Sequence, residues 1–354
     1  LFAIVSVELV RPGGAIGLIL PEPLLTTRDG DPGRIAVAAR TELLRLWTAP
    51  ARTFDAGVRA CVVVMRRHGP GCEAGTGPRT DARWSRGEWS GYVADAAGVP
   101  DFVVHASGRL GDVARCTADF RDQFYGVAQV AVDKVGSKTG TVGGVGSETP
   151  LLDPALITSG LIDPLDNRWG SRPARIAGRT FTHPRAALGR LDLDHPVRRW
   201  ANSRLLPKVL VATQTRVLEA IADPQGSLLP VVPVISVIPP DPARIWHVAA
   251  ILVSPPVSAL ARRRAAGAAL SGDAIKLSAR QVADLPLPMS SQHWDDGAAA
   301  AATASASSAS GDAAGWRAAM RELAVAMCAA YGIEPEPVSH WWWSRLVGPD
   351  VPLG

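Results

Sequence analysis

An α/β architecture at the start of the chain, then a mixed α+β region and a helical tail, is the fold class that the 354-residue sequence predicts. Three observations predict it. Residues 1–25 read as the end of a helix, a tight turn and a buried strand. Residues 58–65 (VRACVVVM) are rich in β-branched side chains, which favour a pleated surface. Beyond residue 110 the texture changes to short strands and many turns, and helical periodicity returns at residues 316–331.

In chain order, Leu1, Ile4, Val5 and Leu9 recur at helical spacing, and Pro12-Gly13-Gly14 ends that helix. Residues 15–20 are almost continuously apolar, the pattern of a parallel strand covered on both faces. Pro21-Glu22-Pro23 stops the strand. In open α/β sheets ligands sit at the carboxyl ends of strands, so Pro21, Glu22 and Pro23 are expected at an active-site edge, with Glu22 as a solvated loop carboxylate or a pocket-lining group. A short helix is expected over 33–41, strands over 43–47 and 58–65, a Gly/Pro-rich linker over 66–83 and a helical connector over 84–98. Residues 209–212 read as an apolar strand, followed by the polar run Thr213–Arg216. Residues 298–314 are Ala/Ser-rich and read as a linker or loose helix. Residues 316–331 form an amphipathic helix with Met320, Leu323, Ala324 and Met327 on one side. Three adjacent indoles, Trp341, Trp342 and Trp343, cannot all face inward from one regular element.

Composition narrows the function classes. The net charge is +4 and the pI about 9.1, a balance compatible with a polyanionic partner. Basic residues are nearly all Arg; the only lysines are Lys134, Lys138, Lys208 and Lys276. Cys61, Cys72, Cys116 and Cys328 form no paired motif and read as free thiols of a reducing compartment, so a cytoplasmic location is expected. The seven histidines lack metal-ligand spacing. No apolar run reaches membrane-spanning length. Residues 136–140 (GSKTG) fail the phosphate-loop spacing, and no GxGxxG fingerprint of a dinucleotide oxidoreductase occurs. The chain begins with Leu1 inside a helical pattern, so a preceding N-terminal part is expected.

Helix, PGG turn, strand, helix and two strands around Thr53-Phe54-Asp55-Ala56-Gly57 resemble the latter half of the N6-adenine DNA methylases. The subgroup with a TaqI-like target-recognition domain, in its actinobacterial form, is the nearest in pattern. Leu110-Gly111-Asp112-Val113 through Asp122-Gln123-Phe124-Tyr125-Gly126 looks like the entry of that domain. Leu206-Pro207-Lys208-Val209 through Thr213-Gln214, with Ala222-Asp223, looks like its central strand and turn. Gly272-Asp273-Ala274-Ile275-Lys276 through Leu285-Pro286-Leu287-Pro288 looks like its closing segment.

The resemblance implies a Rossmann-like S-adenosylmethionine-dependent sheet over 1–67 and a linker with a connector helix over 68–109. It further implies a DNA target-recognition domain over 110–290 and an Ala-rich linker and helical tail over 291–354. It implies transfer of a methyl group from S-adenosylmethionine to adenine N6 in duplex DNA, as in restriction–modification. Such a reaction takes the base out of the stack. The Asn/Asp-Pro-Pro-aromatic motif and the Gly-rich cofactor loop that would carry it are absent from the sequence. The chain alone is therefore expected to be inactive, its catalytic half preceding it or supplied by another chain. The expected partners are double-stranded DNA and a missing catalytic half or restriction partner, and no membrane.

Phe54 matches the family's second base-stacking aromatic. Lys208 and Lys276 fall in family segments, and Thr213, Gln214, Thr215 and Arg216 follow the apolar strand. With Arg121 and Gln123 these are the expected DNA contacts, since Gln pairs with adenine and Arg with guanine. A non-catalytic DNA-binding specificity module and an inactive remnant remain alternatives.

Overall fold

Proline and glycine set the first turn. The computed structural model describes residues 1–49, 59–69, 82–119, 121–133, 153–264 and 274–349. Helix α1 (Phe2–Leu9) ends before Pro12, and Gly13 takes φ +77°, a left-handed conformation that glycine adopts without strain. Arg67 donates to the Glu8 and Val10 carbonyls at the helix end, at 3.0 and 2.5 Å. Of α1 only Val7 is buried, whereas Leu1, Val5 and Leu9 are exposed. The inward side of this helix is therefore not the one the apolar spacing selects.

Strand β1 (Ala15–Pro21) is followed by α2 (Asp31–Ala38), β2 (Thr41–Thr48) and β3 (Ala60–Arg67). The sheet order is β1-β3-β2, and β3 runs antiparallel to both neighbours. The outer strands β1 and β2 thus run parallel to each other, joined through α2, with β3 inserted between them. This corrects the expectation for residues 15–20. Strand β1 pairs antiparallel, at an edge of the described sheet, and its burial alternates, so that Ile16 and Leu20 point inward while Ile19 is 65% exposed. A continuous apolar run cannot by itself distinguish two covered faces from one.

Helices α3 (Ala82–Ser85) and α4 (Ser90–Ala96) complete this part. Trp84 is fully buried, stacks on Trp89 at 4.0 Å between ring centroids, and donates its indole N–H to the Thr41 carbonyl at 2.9 Å. An aromatic with one satisfied polar atom is well suited to such a position.

Contacts divide the chain into two compact units, residues 1–101 with 259–276, and 102–258 with 277–354. The second unit begins with β4 (Gly108–Arg109), β5 (Arg115–Ala118), α5 (Arg121–Val130), β6 (Ala131–Asp133) and β7 (Ala155–Ile157). Short strands follow: β8 (Ile162–Asp163), β9 (Asp166–Asn167), β10 (Ala174–Ile176), β11 (Arg179–Phe181) and β12 (Pro184–Ala186). Then come α6 (Pro196–Arg204), β13 (Lys208–Val211), β14 (Ala220–Asp223), β15 (Leu228–Pro230) and β16 (Ile235–Ile238). The chain closes with α7 (Ile245–Val253), α8 (Pro255–Arg264), α9 (Ala279–Ala283), β17 (Pro286–Leu287), α10 (Gln292–Ala309), α11 (Ala313–Ala330) and α12 (Val338–Trp343).

Two four-stranded sheets organise the second unit. One is antiparallel with order β14-β13-β16-β5; the other has order β15-β7-β12-β6, with β15 and β7 parallel. Helices α5 and α6 supply Val127, Phe124, Ala201 and Trp200 to the core around Leu156, Ala186 and Leu229. A second core joins Ile157 and Leu161 to Leu210, Ile221 and Val234. Helix α7 is buried along almost its whole length and packs on β13 and β14 and on α10.

Most of the Ala/Ser stretch, residues 298–309, belongs to the regular 18-residue helix α10, the helical one of its two expected states. Its small side chains bring α11 close: a Cβ on Gly297 would meet Met327 Sδ at 2.6 Å. The α11 face of Met320, Leu323, Ala324 and Met327 is buried as its periodicity predicts. Trp341 and Trp342 are buried in α12, while Arg321 lies over the Trp343 ring.

Lys208 is corrected as a DNA contact. It is fully buried opposite Asp223 in the β13–β14 pair, with Nζ 2.6 Å from the carboxylate. Burial pushes its pKa down, against the pull of Asp223. Asp223 also accepts from the Ser227 and Leu228 N–H groups, at 3.0 Å each. Removing one partner leaves the other charge uncompensated in the interior. Lys208→Ala is accordingly expected to destabilise the second unit by about 3–5 kcal/mol, read as a lowered urea midpoint. A midpoint within error of the parent would show that the ion pair does not hold the hairpin.

Candidate nucleic-acid interface

The first unit buries the carboxylate that follows β1. Glu22 is 1% exposed and its carboxylate lies 3.0 Å from an Arg59 nitrogen. It is therefore not a solvated loop group. Burial raises its pKa, and the charges of Arg59 and of the equally buried Arg262 oppose the rise. Pro21 and Pro23 line an apolar cavity of about 400 Å³ with Phe2, Leu20, Leu24 and Trp89. Phe54 lies outside the described residues. Of the Arg run that closes α8, Arg262 is buried, and Arg263 pairs with Asp95 at 2.9 Å and Asp101 at 3.1 Å. Neither side chain is a free cationic face.

In the second unit a hairpin gathers the polar run. Strand β13 leads into residues 212–219 and β14 returns, the loop being closed by the Ala212 N–H donating to the Glu219 carbonyl at 2.9 Å. Thr213, Gln214, Thr215 and Arg216 form the tip. Gln214 holds φ +68°, a left-handed conformation that disfavours any residue with a Cβ by about 1–2 kcal/mol. Gln214 and Arg216 are exposed. The Thr213 N–H donates to Ser159 Oγ at 3.4 Å, and the Thr215 hydroxyl donates to the Val217 carbonyl.

These four residues line a cavity of about 520 Å³ whose other walls are Ser159, Gly160, Ile162, Asp163, Arg172, Glu219 and residues 344–347. Arg172 forks onto Asp163, at 3.0 and 2.7 Å, and also donates to the Gly160 carbonyl at 2.8 Å. Arg168 bridges Asp163 at 3.2 Å and Asp166 at 3.1 Å, and Asp166 accepts from Ser308 Oγ at 2.6 Å. Glu219 is 7% exposed and has no side-chain hydrogen bond or ion pair among the described residues. Burial, reinforced by the Asp163 charge, pushes its pKa up to about 8 against the pull of Arg172 and Arg216. The Thr213 hydroxyl is also buried without a partner among the described residues. Two polar groups thus retain hydrogen-bonding capacity on the wall of a polar cavity.

The other expected contacts belong to other elements and do not line this cavity. Gln123 sits half-buried in α5, which Arg121 opens; the Arg121 side chain lies outside the described residues. Lys276 is exposed and belongs to the first unit. Glu219, Asp163, Arg172 and Arg345 were not expected from the sequence. The available signal for Glu219 was a single acid inside the apolar run Val217-Leu218-Glu219-Ala220-Ile221. Among the described residues no cluster of three metal-ligating side chains forms, and no single helix is long and apolar enough to cross a membrane. Cys61, Cys116 and Cys328 are free thiols, their pKa values pushed up to about 11 chiefly by burial.

No family model matches the chain, and no curated protein matches it. Among solved structures the chain is similar to the type IIG restriction endonuclease BpuSI, at 11% identity and a TM-score of 0.35. The match covers 94% of this chain and 49% of that one, so the chain spans about half the length of that enzyme.

The raised pKa of Glu219 fixes the sign of a stability effect. The unfolded chain releases this proton near 4.5, the folded one near 8. Its contribution is full below the lower value and is lost as pH rises through the higher one. Glu219→Gln is expected to remove that decline from a pH series of urea midpoints. An unchanged slope between the two values would show that Glu219 titrates normally in the folded protein.

Proposed function

We propose that this chain is the latter part of an adenine-specific DNA methyltransferase of restriction–modification type, with the second unit reading duplex DNA. The observation that carries the DNA-reading half is the β13–β14 hairpin. It gathers Thr213, Gln214, Thr215 and Arg216 around one polar cavity with Arg172 and Arg345. Hydroxyl, amide and guanidinium groups on one loop are the side chains that contact phosphates and base edges. The exposed Arg216 supplies a positive charge at the rim, and the net charge of +4 favours a polyanion.

The methyl-transfer half rests on the sequence resemblance and on the β1-α2-β2 arrangement with β3 inserted. This places two mutually parallel strands side by side across a third, with Pro21 and Pro23 at the carboxyl end of β1. S-adenosylmethionine supplies the methyl group in this reading. The residues of this chain near that edge, Pro21, Glu22 and Pro23, shape and neutralise it rather than transfer protons, because Glu22 is engaged with Arg59. The Gly-rich loop and Pro-Pro-aromatic motif that would hold the cofactor and the target adenine do not occur in the sequence. The chain alone therefore binds DNA without methylating it.

Fluorescence anisotropy with a labelled duplex across salt concentrations tests the reading. The observed affinity should fall steeply with salt, since neutralised phosphates release counterions. Arg216→Ala should weaken binding several-fold and reduce the magnitude of the salt slope by about 1. Absence of salt-dependent binding by the parent chain would overturn the DNA-reading proposal.

A further inference from the structure

The cavity behind the hairpin is lined by both signs of charge: Asp163 and Glu219 with Arg172, Arg216 and Arg345. Two of its carboxyl groups are at low exposure, Asp163 at 2% and Glu219 at 7%, and Asp166, at 4%, is tied to Asp163 through Arg168. Two guanidiniums, Arg168 and Arg172, are committed to Asp163 and Asp166 by the ion pairs above. The groups whose charges reach Glu219 are Asp163, Arg172 and Arg216, and Arg345 enters the same cavity from residues 344–347. Asp166 is itself raised in pKa, mainly by burial, and is held by Ser308. Glu219 alone of the three acids has no polar side-chain partner among the described residues, and it lines open volume.

A protonated carboxyl presents an O–H donor beside a C=O acceptor. This is the same pair of functions as the amide of Gln, which fits the N6 amino group and N7 of adenine. An ionised carboxylate offers acceptors only. Protonation of the Glu219 carboxyl therefore changes which donors and acceptors it can pair with.

We propose that Glu219, buried on the cavity wall without a side-chain partner among the described residues, reads a nucleobase edge in which an amino group lies beside an unprotonated ring nitrogen. Adenine carries that edge, as does the pairing edge of an unpaired cytosine. The carbonyl oxygen accepts from the amino group, and the O–H donates to the ring nitrogen. Thr213, whose hydroxyl is buried without a partner among the described residues on the same wall, is placed to bond a further polar atom of the entering base. The inference rests on the DNA-reading proposal and deepens it by naming a specificity-determining residue.

The test is selection of duplexes with a randomised central segment by the 354-residue chain, below and above pH 8, followed by sequencing. Below that pH, adenine or cytosine should be enriched at one position, and the base obtained distinguishes the two sources of the edge. Above it, the preference at that position should fall about tenfold, because a lone carboxylate cannot bond an unprotonated ring nitrogen. Glu219→Gln should keep the preference at both pH values, and Glu219→Ala should lose it at both. Melting curves of each variant separate lost selection from lost folding, and Glu219→Gln retains the shape of the parent side chain. A preference independent of Glu219, or a pH dependence that survives in Glu219→Gln, overturns the inference while leaving DNA binding intact. No duplex binding at any pH overturns the DNA-reading proposal, and this inference with it.

Discussion

Three low-exposure carboxyls and two committed guanidiniums make the constraint on which the second unit depends. Burying ionised groups without compensation is far more costly than burying them paired. Arg172 satisfies Asp163 through a two-pronged contact, and Arg168 spans Asp163 and Asp166. The remaining acid, Glu219, is left to hold its proton. This arrangement fixes the floor of the cavity and anchors residues 159–172 against the β13–β14 hairpin. The left-handed turn at Gln214 then carries the polar tip over that floor. The Lys208–Asp223 pair secures the other end of the same hairpin, and α7 backs its two strands.

Much of the local structure is legible in the residues. Pro12-Gly13-Gly14 ends α1 because proline cannot continue a helix and Gly13 must take positive φ. The β-branched run around Val62, Val63 and Val64 is the central strand of its sheet. The α11 face follows from 3.6-residue periodicity. Each of these is decided by near neighbours in sequence.

What the residues do not reveal depends on distant partners. The pairing direction of β1 is set by β3, some forty residues on, and no local pattern encodes it. The Ala/Ser stretch looks featureless because its information lies in smallness: Gly297 and its alanine neighbours allow Met327 to approach. Lys208 reads as a cation for a polyanion until Asp223 is seen opposite it in the sheet. Glu22 reads as a loop acid until Arg59 and Arg262 close on it. Of the candidate site, the polar run Thr213–Arg216 was visible as an abrupt change after an apolar strand. Its charged floor was not, because Asp163, Arg172 and Glu219 converge from three separate segments.

The division of labour that emerges pairs a strand–helix–strand unit, with its buried Glu22 beside Arg59, with a larger unit whose polar hairpin frames a cavity. Its central claim is chemical: one acid in that cavity carries a proton at neutral pH. Isotope-edited infrared difference spectroscopy between the parent chain and Glu219→Gln measures this directly. At neutral pH the difference should contain the carbonyl stretch of a protonated carboxylic acid, fading as pH rises through about 8 and shifting when duplex DNA is added. A difference spectrum showing only ionised carboxylate at neutral pH would contradict the account.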